Sequence, residues 1–375
     1  MTDYTNFSLH TTEVNMNSKF NNIIKIIAED KNPRKLMIGF DGFIDEIIQV
    51  VDKRFTTTEY HKIKTITTFA KRINAAAGLS ANMELVPTDI KIGGNGVIMA
   101  NCMVQYGMNI DYVGALGFPE LNPLFSQFQN QCHSVISFAN PGHTQALEFD
   151  DGKLMLGKIN PIHRITWQNL IKEIELSKLK EMIISSDFIA FTNWTMLAGL
   201  NEIISEFAAI LKENNHQPII FFDLADPAKR CKADVIEILT IISDLNRQTD
   251  VILGLNEKES RMIADYLDIP EAETLPRSAA IRAKLNINTV LIHPVNGSAA
   301  AIESEAIWVD GPYTPTPKLT TGAGDNFNAG FCLGRLLNMN LKDALILGVY
   351  TSGYYVRNCH SPSRQQFIEF IRSFS

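Results

Sequence analysis

Near the C-terminus, Thr320-Thr321-Gly322-Ala323-Gly324-Asp325 joins two things that phosphoryl transfer needs: backbone amides that can close on an anion and a carboxylate that can take a proton. The run stands where an extended segment, stiffened by Pro312, Pro315 and Pro317, turns into a helical pattern carrying Phe327, Phe331, Leu333, Leu336 and Leu337. Small residues let N–H groups approach a phosphate closely, and a helix start adds about half an elementary charge toward it. Asp325, in the first turn, is expected to be kept ionised by that field. It would accept the proton of an incoming hydroxyl while the amides of Gly322, Ala323 and Gly324 hold the migrating group. The same residues also satisfy a plainer description, a capped helix with an acidic first turn.

The elements that must position this run follow from periodicity. Short apolar, β-branched stretches at 35–40, 111–115, 187–192, 218–223, 250–253 and 289–293 alternate with helical spacing over 95–105, 197–213, 256–265 and 275–285. Such alternation predicts an α/β fold with a mostly parallel sheet covered by helices on both faces, and ligands beyond the carboxyl ends of its strands. Helices are expected at 325–337, 342–356 and 363–373. Residues 46–91 and 134–159 break the rhythm with strand-like pieces, a helix-like insert at 63–74 and a hairpin around Asp151-Gly152. We expect one domain over 1–375 with a small β-rich lid formed by 43–92 and 134–160. A flap closing over substrate, an edge decoration and a homodimer surface all fit that lid.

A formal charge of -7 argues against nucleic acid or an anionic membrane as partner, and no run approaches the ~18 apolar residues of a membrane span. Five cysteines without a CxxC pair and eight scattered histidines suggest neither a disulfide framework nor a protein-only metal site. With no basic, apolar leader at the N-terminus, a cytoplasmic location is expected.

The run TTGAGDNFNAGF resembles the C-terminal signature of the PfkB/ribokinase family of carbohydrate kinases, DTTGAGDAF. The resemblance implies a ribokinase-like three-layer α/β/α fold, ATP and Mg2+ as cofactors, and phosphorylation of a hydroxyl, a primary alcohol, on a sugar-like small molecule. It also implies that Asp325 is the base, that Gly322, Ala323 and Gly324 form the anion hole, and that Thr321 lies beside the nucleotide. Leu319 stands where the family has an aspartate that helps hold a monovalent cation, so potassium activation does not carry over.

Lys91-Ile92-Gly93-Gly94-Asn95-Gly96 is similar to the family's N-terminal signature, whose GGN turn contacts sugar hydroxyls; Gly94 and Asn95 carry that role here. Asp41 and Asp45 follow the first predicted strand, where the family places a substrate-binding aspartate, and Asp45, at the junction with the lid, is preferred. Asn256 and Glu259 look like the family's NxxE element, which arranges the magnesium shell, largely through water. The pair also matches a capping box. On the nucleotide side the family's glycine turn becomes His293-Pro294-Val295-Asn296-Gly297, one residue shorter, which carries over Gly297 with His293 beside it. By position, Asn193, Trp194 and Asp223 also end predicted strands. Two other readings stay open: a nucleoside or vitamin kinase, with Phe43, Phe149 or Trp194 stacking a ring, and a ligand-binding regulator that has lost catalysis.

Overall fold

The computed structural model describes residues 18–374. In chain order the strands are β1 (Lys35–Phe40), β2 (Phe43–Arg54), β3 (Tyr60–Lys62), β4 (Leu85–Gly93), β5 (Asn109–Gly114), β6 (Ser134–Ser137), β7 (Gly142–Phe149), β8 (Gly152–Lys158), β9 (Phe188–Phe191), β10 (Ile219–Asp223), β11 (Val251–Asn256), β12 (Thr289–His293), β13 (Gly297–Ala301) and β14 (Ala306–Asp310). Nine of them form the central sheet, in the order β14-β13-β12-β11-β10-β9-β1-β5-β6. From β12 to β6 every pairing is parallel; β13 and β14 close one edge as an antiparallel hairpin.

Strands buried on both faces should read as continuous apolar runs, and these do. Ile220, Phe222, Val251 and Leu253 point into one core with helices Leu200–Glu213 and Lys232–Leu245, while Phe221 and Ile252 point into the other with helices Asn95–Gln105, Ala323–Leu336 and Leu341–Asn358. The result is the expected three-layer, ribokinase-like α/β/α architecture. No motif explained the N-terminal extension, but from Ser18 to Glu29 it is a helix on the C-terminal helices. Arg364 holds it, donating to the carbonyls of Ile27 (3.1 Å) and Asp30 as well as to that of Tyr106 (2.6 Å).

The chain leaves β1 through Asp41-Gly42 and passes at once into a second, five-stranded sheet, ordered β3-β2-β7-β8 with β4 antiparallel to β2. Helix Ile66–Ala75, the insert at 63–74, sets Phe69 against Ile48, Val50, Leu147 and Phe149, giving this sheet a small core of its own. One boundary moves: residues 134–137 were expected in the lid, yet β6 pairs in parallel with β5 at the edge of the central sheet. Four residues are too few for periodicity to choose between sheets. No helix among the described residues is long and apolar enough to cross a membrane.

Candidate active site

Parallel strands bring their carboxyl ends to one edge, and that edge carries a row of polar residues: Asp41 after β1, Asn193 after β9, Asp223 ending β10, Asn256 ending β11 and His293 ending β12. Facing the row are the starts of two helices, Asn95–Gln105 and Ala323–Leu336.

Asp41 is fully buried and saturated with donors. It accepts the backbone N–H groups of Asn95 and Gly96, both at 2.9 Å, and the Asn193 side-chain amide at 2.7 Å. Burial pushes its carboxyl up, against those three bonds. Gly94 caps the helix at φ 104, and a side chain there would meet the Asp41 carboxylate 3.1 Å away. Asp45, by contrast, faces a cavity of about 500 Å³ together with Phe43, Asn95, Thr144, Asn193, Lys229 and Asp325. Its carboxyl is also raised by burial, with the Thr144 hydroxyl, Lys91 and Lys153 pulling the other way. Of the two aspartates, the preferred one is the one that reaches the open space.

The glycine-rich run forms a wall between that cavity and a second of about 260 Å³. Thr321, Gly322 and Asp325 face the first; Thr320, Ala323 and Gly324 face the second, with His293, Gly297, Tyr313, Phe327 and Ser352. Gly322 sits in the left-handed region at φ 90 and caps the helix. Three successive carbonyls of the run are held from behind: Thr321 accepts the Tyr355 hydroxyl at 2.9 Å, Gly322 the Asn326 side-chain amide at 2.9 Å, and Ala323 the Ser352 hydroxyl at 2.9 Å. Among the described residues the amides of Gly322, Gly324 and Asp325 meet no acceptor. The Ala323 amide, which was expected in the anion hole, instead donates to the Thr320 carbonyl at 3.1 Å. A tight turn before the helix takes that donor, and the next two positions remain free to serve an anion.

The charge environment also differs from expectation. Asp325 is 8% exposed, and its carboxyl is raised well above the usual carboxylate range, first by burial and then by Asp223 and Asp41. Desolvation and three like charges outweigh the helix field, which was expected to keep it ionised. Asp223 is pushed to about 6, chiefly by burial, and Glu259 to about 8, by burial and then by Asp223. The Asn95 side chain, facing both Asp223 and Asp325, opposes the rise.

Asn256 and Glu259 form a complete capping box: the Asn256 side-chain oxygen accepts the Glu259 backbone N–H at 2.9 Å, and the Glu259 carboxylate accepts the Asn256 backbone N–H at 2.8 Å. Asn256 is thereby committed to orienting Glu259. The carboxylate nonetheless stays within electrostatic reach of Asp223 and Asp226. Gly297 opens β13 with Trp308 packed where a side chain would go, and it lines the smaller cavity beside His293, whose imidazole burial lowers to about 4.

Trp194 is 1% exposed, donates to Asn201 at 2.7 Å and lies under Arg230, so it is packing; Phe149 belongs to the small sheet's core. Only Phe43 of the three aromatics borders the larger cavity. Sequence reasoning missed Thr144, Asp226, Lys229, Asn328 and Ser352. Asn328, three residues after Asp325, donates to Asp223 at 3.3 Å while its own buried oxygen has no partner. Its place on the helix of Asp325, one turn on, was the available signal.

The model of the prokaryotic ketohexokinase family matches residues 13–374. A ketohexokinase of Haloferax volcanii is 26% identical over 344 residues, 91% of this chain and 91% of that protein. Among solved structures, Arabidopsis thaliana ribokinase complexed with ribose and ATP aligns with a TM-score of 0.63 at 17% identity, covering 91% of this chain and 99% of the other. Adenosine kinase from Sinorhizobium meliloti aligns at 0.64 and 15% identity, covering 92% and 100%. At such identities the two structures bear on the fold.

Proposed function

The chain belongs to the prokaryotic ketohexokinase family, and from that premise we propose that this ATP-dependent carbohydrate kinase phosphorylates a hydroxyl of a ketohexose, a primary alcohol, with Asp325 as the base. One observation carries the assignment: the wall between the two cavities is the glycine-rich helix start, with Asp325 and Gly322 on one side and Ala323 and Gly324 on the other.

A sugar in the larger cavity would meet Asp45, Asn95 and Asn193, an array of acceptors and donors suited to a polyol. Its hydroxyl oxygen attacks the terminal phosphorus of ATP, the bond to the bridging oxygen breaks, and ADP leaves. The hydroxyl proton passes to Asp325. A raised carboxyl suits that step, because a strongly acidic one would be too weak a base to take and hold the hydroxyl proton near neutral pH. The free amides of Gly322, Gly324 and Asp325 face the oxygens of the migrating group. ATP would occupy the smaller cavity between His293, Gly297 and Ser352, with Thr321 at the junction.

The oxygen-only donor set and mutual repulsion of Asp223 and Glu259 suit Mg2+, which these two would hold, largely through water, while Asn256 fixes Glu259. Bound with the nucleotide, it would neutralise charge on the terminal phosphate oxygens.

The test is ADP release measured over a panel of ketohexoses, aldoses and nucleosides with MgATP, for the natural chain and Asp325→Asn. Ketohexose-dependent turnover that the substitution abolishes is expected. Turnover with nucleosides alone, or full activity in Asp325→Asn, would overturn the reading.

A further inference from the structure

The anion-binding run is held by a feature that lies behind it. A left-handed cap such as Gly322 has few ways to orient its peptide planes correctly, and the amides aim forward only if the carbonyls are drawn back. Thr321 and Ala323 are drawn back by hydroxyls of a neighbouring helix, Tyr355 and Ser352. Gly322, the cap itself, is held by Asn326, the residue next to the base, through both its N–H (3.1 Å) and its side-chain amide (2.9 Å).

Asn326 is fully buried. A carboxamide can turn over, and turned over it would point its oxygen at the Gly322 carbonyl and repel it. Ser361 prevents this: its hydroxyl, 4% exposed, donates to the Asn326 oxygen at 2.8 Å and so fixes which end faces Gly322. The link joins the C-terminal segment after helix Leu341–Asn358 to the cap of the base's helix.

The geometry points to Asn326 and Ser361 as positioning residues for phosphoryl transfer, a two-residue relay that fixes the Gly322–Ala323 peptide plane, the one between the planes that carry the free Gly322 and Gly324 amides. Neither faces the larger cavity, so neither contributes to holding the sugar there. The inference rests on the reading of this helix start as the anion site.

The test uses the full chain with Asn326→Ala, Ser361→Ala and Ser361→Thr. Since misplacing a reacting centre by about 1 Å costs on the order of 100-fold, kcat should fall roughly 10- to 100-fold in the first two variants. KM for sugar and for ATP should stay within about two-fold, the signature of an interaction made only in the transition state. Ser361→Thr, which keeps the hydroxyl, should restore kcat. Affinity for ADP with aluminium fluoride, which mimics the transferring group, should fall in step with kcat. Should Asn326→Ala fail to fold, Ser361→Ala carries the test.

A folded Ser361→Ala with unchanged kcat would overturn the relay, as would loss of kcat, KM and Tm together without rescue by threonine. Asp325→Asn run in parallel separates the two levels. Inactive Asp325→Asn beside fully active Ser361→Ala sinks the relay alone, whereas active Asp325→Asn sinks the base.

Discussion

Asn193 donates its side-chain amide to the Asp41 carboxylate at 2.7 Å, across the carboxyl ends of adjacent strands β9 and β1, and both residues are buried. Because Asp41 also takes the amides of Asn95 and Gly96, it ties the Gly94-Asn95 turn to the sheet. Asp45, four residues on, faces the cavity instead. The two aspartates should therefore separate. Asp41→Ala leaves buried donors unpaired and should lower stability by about 2 kcal/mol or more. Asp45→Asn should keep Tm nearly unchanged while KM for sugar rises about ten-fold or more, a 1.4 kcal/mol loss of binding. Thermal melts and steady-state kinetics on both variants check this, and the reverse pattern would exchange the roles.

Asp325 sits where its loss should act on chemistry and not on folding. Asparagine has the same shape and removes a buried carboxyl that three neighbouring carboxyls push toward protonation. Asp325→Asn should cut kcat by about 10²–10⁴-fold. Tm should hold or rise, since a strained charge site is relieved. Parallel kinetics and melts decide it; a large drop in Tm would mean that the carboxylate serves the fold.

Much of this was legible before any coordinates. The parallel sheet and the helices expected at 95–105 and 325–337 follow from periodicity, because a strand buried on both faces and a helix start each leave a local mark, and the preference for Asp45 follows from its place at the junction with the lid. What was not legible depends on distant segments meeting. Tyr355 supports the glycine run from a helix that periodicity could place only as an element, and Ser361 does so through Asn326 from the segment after that helix. Thr144 reaches the larger cavity from the small sheet and Lys229 from the turn after β10. The ionisation of Asp325 was misjudged because Asp41, Asp223 and Glu259 come from segments up to 284 positions away in sequence, and their charges sum only in the folded chain.

Those same charges give a pH dependence with a definite sign. Asp223 rises from 3.8 to about 6 on folding and Glu259 from 4.5 to about 8. A group whose folded value is raised holds its proton longer in the native state, so its contribution is full below the unfolded value and is lost as pH climbs through the folded one. Stability without nucleotide should therefore fall between about pH 4 and 8, by on the order of a few kcal/mol. Glu259→Gln should flatten the upper part of that slope, and MgATP should oppose it. Urea melts at stepped pH read this directly; stability rising over that range would show that the cluster does not titrate as a unit.

Gly322 offers the sharpest test of whether backbone conformation or mere space governs the proposed anion site. Its φ of 90 disfavours any side chain, and an added Cβ would also lie 2.7 Å from the Tyr355 hydroxyl. Gly322→Ala should thus lose about 1–2 kcal/mol of stability and on the order of 100-fold in kcat. Removing the hydroxyl separates the causes, because Tyr355→Phe clears the space and leaves the backbone as strained as before. In the double variant stability should recover in part. The rate should not, since the Thr321 carbonyl has then lost the hydroxyl that drew it back. Recovery of kcat in the double variant would mean that steric contact alone was at fault, and that the left-handed cap does not aim the amides.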